Sequence, residues 1–438
     1  MQKSTKILYA TLTPILFIST PTYASEQAES KGFLEDTEAS ILFRTGLHTR
    51  DKKNGKADQN SSGQSAILKL DSGFTQGPIG FGAGVVADGG FRIGKNLNAG
   101  PDMIPSENDG ITDQYGHVTP KDHWIRGGAF VKARVSNTTA LYGTQTVNSP
   151  VLASNVGRLA PEYYEGLSIT SNEIKDLELT LAKYTRNVGP SQVHRDAKRL
   201  DRAVTWGARY KVNDQISTSY YGLDIKNRLE RNYINANFIQ PLSSDSSIVY
   251  DFNGYHTKWD PDGNTYSETT DDKNNRSNSI WAISTTYNKG AHSVMLAYQQ
   301  NTGNTGYDYN NNADGGGSIV LPNSYLSDFA GADEKSINLQ YTYDFSEKFI
   351  PGLSWTTAYV YGWDINVANP DRTKLIATNA KENEFFNQIK YTVQSGFAKD
   401  VSFRARNYIY HADKEYRDNY MPNIIEWRIF LDIPFNIL

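Results

Sequence analysis

Cysteine is absent from all 438 residues, so the chain is held together without a single disulfide. Long apolar runs are missing as well. The stretch from Ile7 to Ile18 falls short of the roughly 18 to 20 residues that a membrane-crossing helix needs, and no later segment supplies them. A transmembrane helix is excluded. No Pro/Ser-rich linker or shift in composition divides the sequence, so one large domain is expected where the length alone would allow about two or three. Strong charge of either sign is also lacking: the formal net charge is −4, which argues against a general nucleic-acid binder.

Chemistry-bearing motifs are scarce too. The seven histidines, His117, His123 and His194 among them, have no metal-ligand spacing, and there is no G-x-S-x-G nucleophile elbow. Gly82-Ala83-Gly84-Val85-Val86-Ala87 imitates a dinucleotide fingerprint but sits inside a strand-like segment with no helix after it. Asp308, Asn310 and Asn312 imitate a calcium loop, yet Ala313 and Ile319 stand where Gly and Glu are required. The expectation is a protein that is not an enzyme and carries neither cofactor nor metal.

What is present begins with an export signal. Lys3 and Lys6 precede the apolar stretch, and Thr22-Tyr23-Ala24 closes it as a small-residue cleavage site, which makes 1–24 a signal peptide and 25–438 the exported part. Tyr 28, Phe 18 and Trp 7 accompany a hydrophobic content of only 38% and a mean hydropathy of −0.57. Low hydropathy with many aromatics suits a barrel with a wet lumen and aromatic girdles.

Period two carries the fold reading. Ile125, Gly127, Ala129, Val131, Ala133 and Val135 alternate with Arg126, Gly128, Phe130, Lys132, Arg134 and Ser136, so in a strand the two sets occupy opposite faces. The pattern repeats: Leu177, Leu179 and Leu181 against Glu178 and Thr180, Val204 to Val212 against Thr205 to Lys211, Ile248, Tyr250 and Phe252 against Val249, Asp251 and Asn253. Strands are expected near 40–49, 64–73, 79–91, 124–136, 139–146, 162–172, 176–186, 202–212, 215–226, 229–240, 246–257, 279–288, 291–300, 335–345, 353–363, 383–394, 400–411 and 424–436. The fold class is therefore all-β, a transmembrane antiparallel β-barrel of 18 strands, an even number with both termini at the periplasmic rim. Connections at 213–214, 227–228, 243–245 and 288–290 are short, whereas 94–123, 258–278 and 301–334 are long and follow odd-numbered strands, the expected extracellular ends.

The last segment places Trp427, Ile429, Leu431, Ile433 and Phe435 opposite Glu426, Arg428 and Asp432. This amphipathic strand is expected to engage the barrel assembly machinery, although it ends in Asn436-Ile437-Leu438 in place of a terminal aromatic.

Projected together, the polar faces carry Arg44, Arg126, Lys132, Arg134, Lys390, Arg404, Arg406 and Arg428. Arg404 and Arg406 share a face about 7 Å apart along one strand. Such a column of cations conducts an anionic group through a narrow lumen; the alternative is that these cations pair with Glu426, Asp432 and Glu384 and leave a neutral interior. Charge on the lipid face would cost roughly 2–4 kcal/mol near the midplane, so inward placement is expected in either case.

A set of short motifs adds a family resemblance: Gly32-Phe33-Leu34-Glu35-Asp36, Arg50-Asp51, Ser72-Gly73-Phe74-Thr75, Gly80-Phe81-Gly82, Lys132-Ala133-Arg134-Val135-Ser136-Asn137-Thr138, Tyr142-Gly143, Pro150-Val151-Leu152, Arg158-Leu159, Glu173-Ile174, Tyr416-Arg417-Asp418 and Glu426-Trp427-Arg428. In this combination the sequence resembles the OprD (Occ) family of substrate-specific outer-membrane channels, most densely over its first 150 residues. The resemblance implies an infolded constriction loop after strand five, here near 146–161, and a basic ladder facing acidic loop residues. It puts Arg158 at or near the constriction, where pairing with Glu162 or Glu165 is the competing role, and makes Asp308 the first choice among Asp308, Asp314, Asp328 and Asp333.

The reading is a Gram-negative outer-membrane channel for small carboxylate-bearing solutes such as amino acids, short peptides, organic acids and carboxylated antibiotics. A plugged structural barrel and an outer-membrane hydrolase are the alternatives. Outer-membrane lipids are the expected surroundings, nucleic acid is not an expected partner, and the barrel is a monomer or a loose homotrimer.

Overall fold

A chain that must satisfy its backbone in hydrocarbon with strands has to close them into a cylinder. The computed structural model, which describes residues 25–96, 103–109, 118–197, 200–263, 265–308, 319–347 and 350–438, does so. The signal peptide at 1–24 and Asn310, Asn312, Ala313 and Asp314 lie outside the described residues. The strands are β1 (Glu38–Lys52), β2 (Gln59–Asp71), β3 (Ile79–Arg92), β4 (His123–Val135), β5 (Thr138–Gln145), β6 (Tyr163–Ile174), β7 (Leu177–Val188), β8 (Ala203–Lys211) and β9 (Ile216–Ile225). They continue as β10 (Leu229–Pro241), β11 (Ser246–Trp259), β12 (Arg276–Lys289), β13 (His292–Gly303), β14 (Lys335–Asp344), β15 (Leu353–Ala368), β16 (Leu375–Thr392), β17 (Ser402–Ala412) and β18 (Ile424–Asn436). Each pairs antiparallel with its neighbour in sequence, and β1 pairs with β18 from Ser40↔Asn436 to Lys52↔Ile424, which closes the 18-stranded barrel.

The alternation read from the sequence separates lipid from lumen. Ile125, Val131 and Leu181 are exposed on the outside, while Trp124, Arg126 and Phe130 of β4 are buried on the inside. At one rim, Tyr341 packs edge-on against Trp355 with ring centres 6.0 Å apart, and Tyr343 against Phe345 at 4.6 Å, part of an interfacial aromatic belt.

Connections after even strands are short, and those after β3, β7, β11 and β13 are long. The short connection at 227–228 is an exception: it follows β9 and so belongs to the long-loop end, because Asn227 takes a left-handed φ of 61° that closes a hairpin at once. β15 and β16 run well beyond the expected 363 and 383. Their extra residues carry β-bulges at Gly362/Ile365 and Ile365/Val367; Ile365, Val367 and Ala380 pack with Tyr416, while Leu375 and Ile376 stay exposed.

The connection after β5 folds into the barrel, as expected. Val151 and Leu152 are fully buried with Tyr164, Tyr184 and Leu223, and the Tyr255 hydroxyl donates to the Pro150 carbonyl at 3.0 Å. Its other end reaches β1 and β2, where Leu159 sits over Gly46 and Gly63; a Cβ on Gly63 would lie 2.9 Å from Leu159 Cδ1. β11 stands ten strands from β1 in one direction and eight in the other, so this loop crosses the bore.

Candidate functional site

The crossing loop sets the constriction, and Arg44 fastens it. Its Nη1 donates to the carbonyls of Val156 (2.8 Å) and Arg158 (3.1 Å), while Nε reaches Asp432 at 2.7 Å. The bidentate carboxylate holds the guanidinium flat against the wall so that its remaining N–H groups serve the loop. Arg158 lies on that loop, with Nη1 donating to the Gly157 carbonyl at 3.4 Å.

Arg126 corrects the expectation of a solute-binding cation. Its side chain is 2% exposed, paired with Asp88 at 3.1 Å, and donates to the carbonyls of Gly189 (2.7 Å), Gln192 (2.9 Å) and Pro161. No solute can reach it: Arg126 is a clamp between β3, β4 and two loops.

The remaining cations divide by partner. Lys132 pairs with Asp71 at 2.6 Å and lies over the Phe74 ring, and Arg134 lies over the same ring with Glu26 3.8 Å away. Arg428 pairs with Glu426, which also receives Arg50 and lies 2.9 Å from His48. On β16 and β17 the pattern changes. Among the described residues, Lys390, Arg404 and Arg406 have no carboxylate within ion-pair distance; Arg406 Nε donates to the neutral Gln388 at 2.7 Å, and Arg404 stacks 5.2 Å from the Phe430 centroid. Register makes them contiguous, with Lys390 opposite Arg404 and Arg406 opposite Arg428.

The neutral-interior alternative therefore holds for Asp432 and Glu426, and not for Glu384. That residue, with Glu382, faces inward from β16 and holds the loop at 304–334. The backbone amides of Leu326 and Ser327 donate to Glu384 at 3.0 and 2.9 Å, and Ser327 Oγ and the Tyr410 hydroxyl donate to Glu382 at 3.0 and 2.5 Å. Glu334, at the end of the loop, accepts from the Gly331 amide at 2.7 Å and neighbours Glu382; burial and that second carboxylate push its pKa well above the usual carboxylate range. Asp308 lies at the start of this loop, where its carbonyl accepts from Arg231, and Arg231 stacks 4.4 Å from the Tyr307 ring. Sequence periodicity placed Glu384 inside but carried no signal that a distant loop would supply its donors, and Glu382 fell outside the expected strand at 383–394.

The family model described as outer membrane porin, OprD family, matches residues 31–437. Porin D of Pseudomonas aeruginosa is 32% identical, over 95% of this chain and 94% of that protein. Among solved structures, OccAB1 of Acinetobacter baumannii is 56% identical with a TM-score of 0.89, covering 94% of this chain and 100% of its own. A BenF-like porin from Pseudomonas fluorescens is 25% identical with a TM-score of 0.80, covering 93% and 100%.

Proposed function

This chain belongs to the OprD family of outer membrane porins, and from that premise we propose that it is a channel selective for small carboxylate-bearing solutes: amino acids, short peptides, organic acids and carboxylated antibiotics. The carrying observation is the run of Lys390, Arg404 and Arg406 on the luminal face of two adjacent strands, without acidic partners among the described residues. Cations already matched by carboxylates present little net field, whereas these three offer a carboxylate successive places to sit. Several weak sites in series let a solute enter and leave.

In this reading Arg428 extends the run with reduced charge, Lys132 and Arg134 lie by the mouth near the N-terminal segment, and Arg158 and Asp308 belong to the loops that narrow the bore. The amphipathic β18 is the strand offered to the assembly machinery, and closure of the barrel leaves no edge that requires a second copy.

Planar-bilayer recording of the purified protein, followed by liposome swelling over a panel of carboxylates of graded size, tests the proposal. Single-channel steps and faster swelling with carboxylates than with size-matched neutral solutes are expected. Absence of steps would mean a plugged barrel; swelling governed by size alone would remove the carboxylate preference.

A further inference from the structure

Between β4 and β6 the wall of the barrel is one strand short at its long-loop end. The pairing of β5 with β4 runs from Val135↔Thr138 to Phe130↔Gly143, after which β5 turns into the bore as the crossing loop, while β4 continues along β3 to His123. On its other side β5 leaves β6 at Gln145↔Tyr164. The result is a cleft of about 380 Å³ lined by Ile125, Gly127, Thr144, Glu165, Arg186 and Arg195. It opens on the outer surface, where Ile125 is 81% exposed. Gly127 has a φ of 153°, and a Cβ there would lie 2.4 Å from the Val86 carbonyl oxygen, so no side chain closes the cleft from this position.

Cations gather at the opening. β7 carries a bulge where Glu165↔Arg186 gives way to Gly166↔Tyr184, so Thr185 is an extra residue and Arg186 is turned to the outer face beside Glu165. Arg186 Nη1 lies 3.2 Å from Glu165 Oε1, and Arg195, from the connection after β7, reaches Oε2 of the same carboxylate. Two guanidiniums on one carboxylate leave a net positive charge, and both stay accessible, with side chains 49% and 61% exposed. Lys183, exposed on the same face of β7 and in register with Leu167, has no carboxylate within ion-pair distance among the described residues. By contrast Arg202 is matched by Asp224, and Lys335 by Asp364. Below the cations the surface is apolar: Val131, Tyr142 and Leu167 lie side by side in register across β4, β5 and β6, all exposed.

Cations above an apolar wall, at the end of an outer-membrane barrel that carries the long loops, face the headgroup level of the outer leaflet. We propose that this cleft binds a phosphorylated glycolipid of that leaflet, the lipid A portion of lipopolysaccharide. A glucosamine phosphate accepts from Arg186, Arg195 and Lys183, and an acyl chain lies along Ile125, Tyr142 and Leu167. Phosphate suits the site because its oxygens take guanidinium forks that a single shared carboxylate leaves unsaturated. The acyl chain supplies the apolar cover that a continuing β5 would have given. The site is outside the barrel, so it is independent of which solute crosses the bore.

Binding of bisphosphorylated lipid A in detergent to the purified full-length barrel, followed by thermophoresis, tests the proposal. Arg186→Ala with Arg195→Ala should weaken binding roughly tenfold, the size of one lost charge-assisted hydrogen bond. Glu165→Gln, which removes the competing carboxylate, should tighten it. Arg202→Ala with Lys335→Ala removes two cations of the matched kind and should leave it unchanged. Lipid A stripped of both phosphates should bind wild type and the Arg186/Arg195 variant alike. Heat-modifiable mobility in gels verifies that each variant is a folded barrel. Unchanged affinity in the folded Arg186/Arg195 variant, weaker binding in Glu165→Gln, or equal losses in the two double variants overturns the site. So does a wild-type oligomer that the Arg186/Arg195 variant turns into monomers with lipid A affinity unchanged, because the cleft would then hold a second copy of this chain.

Discussion

Charge acts at the scale of single residues according to what already neutralises it. Arg126 and Arg404 have the same side chain and both point inward, yet one is locked between Asp88 and three carbonyls while the other faces the lumen beside Phe430. Opposite outcomes on truncation follow. Arg404→Ala with Arg406→Ala should leave a folded barrel and reduce swelling with succinate several-fold while changing flux of a neutral sugar of similar size little; equal losses for both solutes would mean a damaged pore. Arg126→Ala should instead destabilise, because it strands a buried carboxylate, at a cost of about 3–5 kcal/mol, measurable as an earlier urea unfolding midpoint. Period two placed both arginines on the inner face. It carried no information about Asp88 or Pro161, because those partners come from another strand and from a loop whose course is set by packing.

Elements that enter the bore are held by a few bonds each, which makes them adjustable. The crossing loop depends on Arg44, so Arg44→Ala should release the carbonyls of Val156 and Arg158 and raise both single-channel conductance and open-channel noise; an unchanged conductance would assign the fastening to Leu159 over Gly46 and Gly63 alone. The loop at 304–334 is held by acids. Glu334 meets Glu382 on β16, with Ser327 and Asp328 on the loop and Tyr410, Tyr416 and Tyr266 on β17, the short helix α1 (Lys414–Asn419) and the connection after β11. Because the carboxyl of Glu334 is raised above its ordinary value when the loop is seated, its seating contribution is full below the ordinary carboxylate pKa and is lost as pH climbs through the raised one. Current noise should therefore grow on going from mildly acidic to alkaline buffer, and Glu334→Gln should flatten that dependence. All eighteen strands were legible beforehand because each crosses lipid with a wet face behind it. The long ends of β15 and β16 were not, because bulges shift the register there and break the alternation.

The whole molecule bears a formal net charge of −4, which taken alone would predict a preference for cations. Conduction, however, responds to the field inside the bore, and the barrel distributes charge around its circumference unevenly: among the described residues Lys390, Arg404 and Arg406 on β16 and β17 have no carboxylate within ion-pair distance, and Asp251 stands among amides on β11, six strands from β17. Three unmatched cations outweigh one carboxylate, so the reversal potential across a salt gradient should report anion preference. Screening sets its range. The Debye length is about 10 Å at 0.1 M and about 3 Å at 1 M, so the preference should be marked in dilute salt and much reduced at molar concentration, where β17 and β11 no longer sense a shared ion. Arg404→Ala with Arg406→Ala should move the reversal potential toward cations, and Asp251→Asn should move it further toward anions. Shifts of opposite sign from β17 and β11 are the signature of a bore with an uneven field around its wall; if both variants moved the potential the same way, selectivity would have to come from the loops at the constriction.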